Sequence, residues 1–390
     1  MKGNTKRKTK VTISIVLMLL TVVSSLAITS ASGNIVDSME FQGEALEITL
    51  QDAYKLMLDN NTTLKKVSLD VEQADLDYKK SLSAINKTRS ALRFTNVTSP
   101  DYLESVTLTE MNSLFTKGNA GRNYEATMEA LKADLESTYY QLLHAEKIKK
   151  IYEDRLKVAE TTYNTTKTKF RLGIVSRNEV ISAELALINS KNDLETGRNN
   201  VDSMRMLLNT KLKLDIMKNI MLKDELKKVE YTLPSIAKAV SSALENRKEI
   251  KAAKHGYHIE DVNMQIAKGK YSTDSYPYKK AVINLEKAEA DYSDALKNLE
   301  MEVRNNYLAI NHKLNEINAW TKSVELAEES LKIKQLSYDK GLAILSDVEK
   351  ANVELLQAKL SMSQSILDYN LAVLKFEDSL GVGRATLSGQ

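Results

Sequence analysis

The residues that most often carry chemistry are few in this sequence and far apart. Of four histidines, at positions 144, 255, 258 and 312, only His255 and His258 are close enough to lie on adjacent turns of one helix. Two imidazoles without a cluster of further ligands do not make a metal site. The chain has no cysteine, no G-x-S-x-G or H-E-x-x-H pattern and no glycine-rich phosphate loop. The sequence therefore predicts no enzyme, no metal site and no cofactor.

The elements that carry these residues are predicted to be helices. Only three prolines and thirteen glycines occur in 390 residues, and 27% of the residues are charged but only 6% are aromatic. Strand-rich and doubly wound folds need many turns, whereas long helices need few breaks. This composition favours elongated helices over large compact cores.

The first 31 residues have the pattern of a secretory signal. Five basic residues precede an apolar run over residues 11–27, and small residues follow up to Ser32. We predict export with cleavage after Ala31, and the length of the apolar run leaves an uncleaved membrane anchor open. Removal of the signal changes the formal net charge from +3 to −2, so the mature chain is not predicted to bind nucleic acid.

The rest of the chain is an internal duplication. Two motifs 168 residues apart correspond: Phe170-Arg171-Leu172-Gly173 continues to Val180 and Ala183, and Tyr338-Asp339-Lys340-Gly341 continues to Val348 and Ala351. The openings of the halves also correspond, as Thr49-Leu50 and Thr232-Leu233. The repeat predicts helical units at 46–214 and 230–383, with a linker at 215–229 and a tail at 384–390.

Within each unit apolar residues recur every seven positions, as in helices packed side by side as coiled coils. After the first glycine, a row of small residues, Ala183, Ser190 and Gly197, runs beside an apolar row and predicts that two helix backbones approach closely. That apolar row is Val180, Leu187, Leu194, Val201 and Leu208. The main rows are Met128, Leu135, Leu142, Lys149, Leu156, Tyr163 and Phe170 in the first unit and Leu296, Val303, Ile310, Ile317, Val324, Leu331 and Tyr338 in the second.

One glycine interrupts the heptads in each unit, in the segments 171–176 and 340–346. Glycine at such a break is typical of a helix that ends and turns back. If residues 124–170 and 278–338 are single helices, they span about 70 Å and about 90 Å. We therefore predict an all-α fold of two tandem antiparallel coiled-coil hairpins with little or no β-structure.

These features resemble the TolC family of outer-membrane efflux ducts. The similarity lies in the opening Ile48-Thr49-Leu50-Gln51-Asp52-Ala53, the two glycine motifs and the closing Leu380-Gly381-Val382. It implies a homotrimer whose six hairpins form a hollow cylinder, and whose tips meet a hairpin adaptor, or membrane fusion protein, of an exporter with an inner-membrane pump. The adaptor-contacting tip residues implied are Arg171, Leu172, Gly173, Ile174, Lys340, Gly341 and Leu342.

The sequence departs from the family at the junctions that hold Pro100 and Pro277. Family members carry two membrane-spanning strands at each junction, and such a strand needs about 9 to 11 residues of alternating character. The segment 267–277 is too short and polar for two strands, and the segment 94–122 shows no sustained alternation. We expect no transmembrane β-barrel strands in this chain.

The leading hypothesis is an exported envelope protein that forms a duct in an export or efflux assembly. It would be associated with the outer membrane if the host has one, and otherwise with the outer face of the cytoplasmic membrane. A non-conducting coiled-coil spacer, anchored by its N-terminal segment, is the main alternative. A membrane-fusion adaptor is a weaker one, because no flanking β-rich modules are visible.

Overall fold

A computed structural model describes residues 41–385 of the chain. The secretory signal predicted at residues 1–31 and the last five residues of the predicted tail lie outside the described residues. The described chain consists of long helices and two short strands. In chain order these are β1 Gln42–Ile48, α1 Leu50–Asn60, α2 Thr62–Ala91, α3 Pro100–Tyr102, a π-helical turn Leu103–Thr107, α4 Leu108–Arg171, α5 Arg177–Lys211, β2 Lys218–Leu222, α6 Ile236–Asn246, α7 Lys248–Lys270, α8 Tyr276–Asp339 and α9 Leu345–Leu380.

Side chains that cap helix N-termini explain several of these boundaries. Thr49 accepts from the Asp52 backbone N–H, and Asp52 in turn accepts from the Thr49 backbone, which makes a capping box at the start of α1. Asn61 accepts from two backbone N–H groups at the start of α2 and so separates α1 from α2. Ser235 caps α6 directly after Pro234.

Two antiparallel hairpins, α4–α5 and α8–α9, form the long part of the molecule. Each of α4 and α8 has 64 residues and is therefore about 95 Å long. Helix α4 begins at Leu108, well before residue 124, where the sequence predicted its start, because its first turns pack on α2 rather than in the coiled-coil seam. The all-α fold of paired helical hairpins is confirmed.

Helix contacts give the order of the helices across the molecule. On the side of the glycine turns the order is α5, α4, α9 and α8, and on the other side it is α2, α4, α7 and α8. Helix α8 is therefore an outer helix over most of its length, and only its tip end, at Tyr338, also contacts α5. The opposite edge is formed by α2 and α5.

Each half buries its own core near the middle of α4 or α8, where α5 and α9 end. The first-half core joins Ile48, Met57, Leu142 and Leu208, and the second joins Val303, Ile310, Val373 and Phe376 among others. The row of small residues is confirmed as a close contact, because Ala183 and Ser190 are buried and Gly197 lies against α4. A Cβ added at Gly197 would lie 3.0 Å from Tyr152 Cδ2 and 3.3 Å from Lys149 Cα.

The segment predicted as a linker contains an element that the sequence did not indicate. Strand β2 pairs in parallel with β1, with Ile48 opposite Leu222. The buried Asn209 amide donates to the Ile216 and Lys218 carbonyls at 2.9 and 2.8 Å, which holds the chain between α5 and β2. Further along, the buried Asn370 donates to the Lys227 carbonyl at 2.9 Å and accepts from the Val229 N–H at 3.0 Å.

Both junctions away from the glycine turns are short loops between helices. Pro100 begins α3 after the Ser99 cap, and Pro277 lies in the first turn of α8. Proline is tolerated there because the first N–H groups of a helix have no partner inside it. None of the helices within residues 41–385 combines the length and apolar character needed to cross a bilayer.

Candidate functional site: the hairpin tips and the outer helices

The two glycine turns close their helices in the same way. Gly173 has φ +71° and Gly341 has φ +73°, both in the left-handed region that favours glycine. The N–H of the following residue reaches back five positions, from Ile174 to the Lys169 carbonyl at 2.9 Å and from Leu342 to the Ser337 carbonyl at 2.8 Å. This is the Schellman motif, which satisfies carbonyls that the helix end leaves free.

The turns differ where the returning helix starts. Ser176 accepts from the Glu179 backbone N–H at 3.3 Å and caps α5. The position that corresponds to Ser176 in the second turn is Ile344, which makes no side-chain cap for α9. The second tip therefore lacks one of the hydrogen bonds that stabilise the first.

A small core holds the two tips together. Tyr338 of α8 packs with Ala183 of α5 and with Leu345 and Val348 of α9. The Tyr338 hydroxyl donates to Glu179 at 3.3 Å, and burial is the main cause that raises the pKa of Tyr338. The Lys169 ammonium lies 4.3 Å from the Tyr338 ring centroid. The predicted tip segments are thus at one end of the molecule, on neighbouring hairpins.

Large apolar side chains cover the outside of this end. Leu172, Ile174, Leu342 and Ile344 are 70%, 66%, 83% and 62% exposed, and no atom lies within 4 Å of a Cβ built at Gly173 or Gly341. A turn that only reverses the chain does not require four exposed aliphatic side chains. Such a patch is typical of a surface that binds another protein. Arg171 and Lys340 beside the glycines are also exposed.

The outer helices carry further exposed apolar residues, which we call the edge stripes. On α8 the stripe lies on the face opposite the buried seam that contains Val303 and Ile310, as a period of 3.6 requires. All members are at least 49% exposed. The edge stripes are Ile283, Met301, Leu308, Leu326 and Ile333 on α8, Ile181, Leu185 and Ile188 on α5, and Leu69 and Leu76 on α2.

Two of the four histidines, His144 and His255, take part in packing between helices. His255 of α7 stacks on Phe115 of α4 with ring centroids 3.9 Å apart, and its Nε2 lies 3.1 Å from Asn112 Oδ1. His144 Nδ1 lies 3.0 Å from the Ser363 hydroxyl at the contact of α4 with α9. Within residues 41–385 no three His, Asp or Glu side chains come together as metal ligands do.

Solved structures resemble the chain over most of its length. A membrane protein from Pseudomonas aeruginosa has a TM-score of 0.68 at 13% identity, covering 93% of this chain and 97% of that one. The outer membrane protein VceC from Vibrio cholerae has a TM-score of 0.68 at 16% identity, covering 86% and 96%. The CmeC outer membrane channel from Campylobacter jejuni has 0.65 at 15%, covering 85% of each. The chain has the TolC fold. No protein-family model and no curated protein sequence matches it.

Within the TolC fold, the sequence indicated the tips but not the edge stripes. The glycines and the duplication locate Leu172 and Leu342, whereas the heptad rows indicate only the seams between packed helices. A second apolar row does exist on α8, for example Leu326 and Ile333 seven residues apart. It was not recognised because one helix with two apolar faces cannot be oriented before its neighbours are known.

Proposed function

We propose that the chain is a subunit of a homotrimeric duct in an export or efflux assembly of the cell envelope. The observation that carries the proposal is the position of the edge stripes. They lie on the two outer edges of the protomer, α8 on one side and α2 with α5 on the other. A single chain leaves both edges uncovered.

The two edges suit each other when copies stand side by side. The α8 edge of one copy would meet the α2 and α5 edge of the next, which is a heterologous contact that closes into a ring when the rotation fits. Full burial of a Leu or Ile side chain stabilises by about 1.5–3 kcal/mol, so each half-exposed stripe residue contributes about 1 kcal/mol. Ten such residues give roughly 10 kcal/mol per contact, within the range of about 4–15 kcal/mol that association costs.

A ring of this kind gathers all the tips at one end. Three copies would present six glycine turns with their exposed Leu and Ile side chains, and a hairpin adaptor is the partner that the TolC-family resemblance implies for them. The ring would enclose a water-filled passage and would move solutes without using energy itself. Bore and lining charge would then select what passes.

Two variants with the same chemical change at different places test the proposal. The edge variant Leu326→Gln with Ile333→Gln should reduce the trimer to monomers in sedimentation, because it removes apolar area from the α8 edge. The tip variant Leu172→Gln with Leu342→Gln should keep the trimer and lose export in cells, because the tips lie outside the contact between copies.

Several results would overturn the proposal. A wild-type chain that sediments as a monomer, or electron micrographs of a trimer without a lumen, would exclude a duct. A tip variant that still forms the trimer and still supports export would exclude the tips as the adaptor contact. An assembled ring whose deletion leaves export unchanged would indicate the non-conducting spacer.

A further inference from the structure

The end of the molecule opposite the glycine turns is also covered by exposed side chains, but of a different kind. It is formed by the loop 92–99 after α2 and the loop 271–275 before α8. We call these two loops and the residues beside them the far end. The far end lies about 95 Å from the tips, because α4 and α8 each run from one end to the other.

Contacts between the two halves make the far end one surface. Pro100 packs so closely on Gly269 that the glycine has no room for a Cβ. Lys270 makes ion pairs with Asp101, at 3.2 Å, and with Glu104. Beneath them Leu103 of the π-helical turn is buried against α7. The loops are therefore held side by side on a packed base.

Aromatic and apolar side chains stand out from this surface. Phe94 is 88% exposed and Tyr276 is 78% exposed, and Val97 in the first loop is exposed as well. The Arg93 guanidinium lies 4.7 Å from the centroid of the Phe94 ring. Exposure of a whole phenylalanine ring is unfavourable in water, since its burial contributes about 1.5–3 kcal/mol. A surface that keeps such rings exposed is typical of a binding site.

Cations surround the aromatic residues. The segments 87–104 and 268–280 contain seven Lys and Arg residues but three Asp and Glu residues, a net charge of +4 in a chain whose mature part is predicted to carry −2. Two of the acidic groups are already paired with Lys270. Five exposed cations form no ion pair within the described residues, and these are Lys87, Arg93, Lys268, Lys279 and Lys280.

We propose that the far end binds the surface of an anionic lipid bilayer. Phe94, Val97 and Tyr276 would enter the headgroup region to a depth of about 5–10 Å, while the cations contact lipid phosphates. Aromatic side chains favour the membrane interface because they are apolar with a polar or polarisable edge. A second copy is a poor occupant, because it would bring two surfaces of the same positive sign together. This inference concerns a single protomer and does not rest on the proposed ring.

Tryptophan reporters in the full chain test the inference. Trp320 is the only tryptophan, so Trp320→Phe gives a silent background. Into it we would place Phe94→Trp at the far end and, as a matched control, Leu342→Trp at the tip. Each protein would be mixed with vesicles of phosphatidylcholine and phosphatidylglycerol that carry brominated acyl chains, which quench tryptophan only at short range.

The expected result is a loss of emission for the reporter at position 94 and none for the reporter at position 342. Loss of emission at neither position would overturn the inference, as would equal loss at both, which indicates non-specific adsorption. A chain held on the membrane only by its N-terminal apolar segment would show no loss of emission at either position. A blue shift at position 94 without vesicles would show that another copy covers the far end, and would also overturn it.

The contribution of the far-end cations to membrane binding has its own test, in the Trp320→Phe chain that carries the reporter at position 94. Arg93→Gln with Lys279→Gln and Lys280→Gln should reduce quenching at position 94 to the level seen with phosphatidylcholine alone. These side chains are exposed and form no ion pair in the part of the chain that the structure describes, so the folded chain tolerates the change. Quenching that is insensitive to both the substitutions and the anionic lipid would refute binding to an anionic surface.

Discussion

Substitution of Gly197 by alanine tests how closely the backbones of α4 and α5 approach. Gly197 lies inside α5 with a helical conformation, so alanine by itself should be favourable there. Gly256 lies inside α7 in the same conformation and faces open space, with no atom within 4 Å of an added Cβ. The two glycines therefore form a matched pair that differs only in the neighbouring helix.

The structure gives the expected sign of the change in stability at each position. Alanine is more favourable than glycine in a helix interior by about 1 kcal/mol, so Gly256→Ala should stabilise the protein by about that amount. At Gly197 the new Cβ meets Lys149 Cα at 3.3 Å, and a backbone atom cannot yield without moving α4. Overpacking costs about 1–3 kcal/mol. The net effect of Gly197→Ala is a loss of up to about 2 kcal/mol.

Urea unfolding followed by far-UV circular dichroism measures both variants against the parent chain. The free energies of unfolding of the two variants should differ by about 1–3 kcal/mol, with Gly256→Ala the more stable. If Gly197→Ala stabilises the protein as much as Gly256→Ala does, α4 and α5 are not in close contact at this row. The explanation of the small-residue row would then be wrong.

Three further predictions concern the turns, a buried amide and the histidines. Gly341→Ala should destabilise by about 1–2 kcal/mol in urea unfolding, because only the backbone at φ +73° opposes it, and Gly341→Asn should cost less. Asn370→Ala should cost about 1–3 kcal/mol in the same assay, since it leaves the partly buried Val229 N–H and Lys227 carbonyl without their partner. Burial is the main cause that lowers the pKa of His144 and His255 from the ordinary value of 6.5. Below that pH the unfolded chain binds protons more readily than the folded chain, so the free energy of unfolding should fall. A variant with His144→Asn and His255→Asn should lose less of this free energy between neutral pH and pH 5.

The sequence predicted the parts of the fold that depend on local pattern. Heptads and single glycines specify helices and their reversals, so both hairpins and the left-handed Gly173 and Gly341 were found in advance. The β1–β2 pair was missed because its strands lie far apart in the chain and have no strong alternation. Its stability comes from tertiary contacts, such as the Tyr139 hydroxyl that donates to Asp224 at 2.6 Å.

The candidate site likewise has parts that the local sequence pattern predicts and parts that it does not. The tip residues could be located because a turn between two helices must be at an end of the hairpin. The edge stripes and the far end could not, since each requires the order of the helices across the molecule. Phe94 and Tyr276 lie far apart in the sequence, and contacts between the halves, such as the packing of Pro100 on Gly269, show that they share one surface.

The unequal caps at Ser176 and Ile344 make the two hairpin ends unequal in local stability. A side-chain cap contributes about 1 kcal/mol, which corresponds to roughly a fivefold difference in the population of opened states. Amide hydrogens in the first turn of α9 should therefore exchange with solvent about five times faster than those in the first turn of α5. In a ring of three copies, rigid and more readily frayed ends would alternate around the opening, so that three of the six can rearrange while the others hold their position.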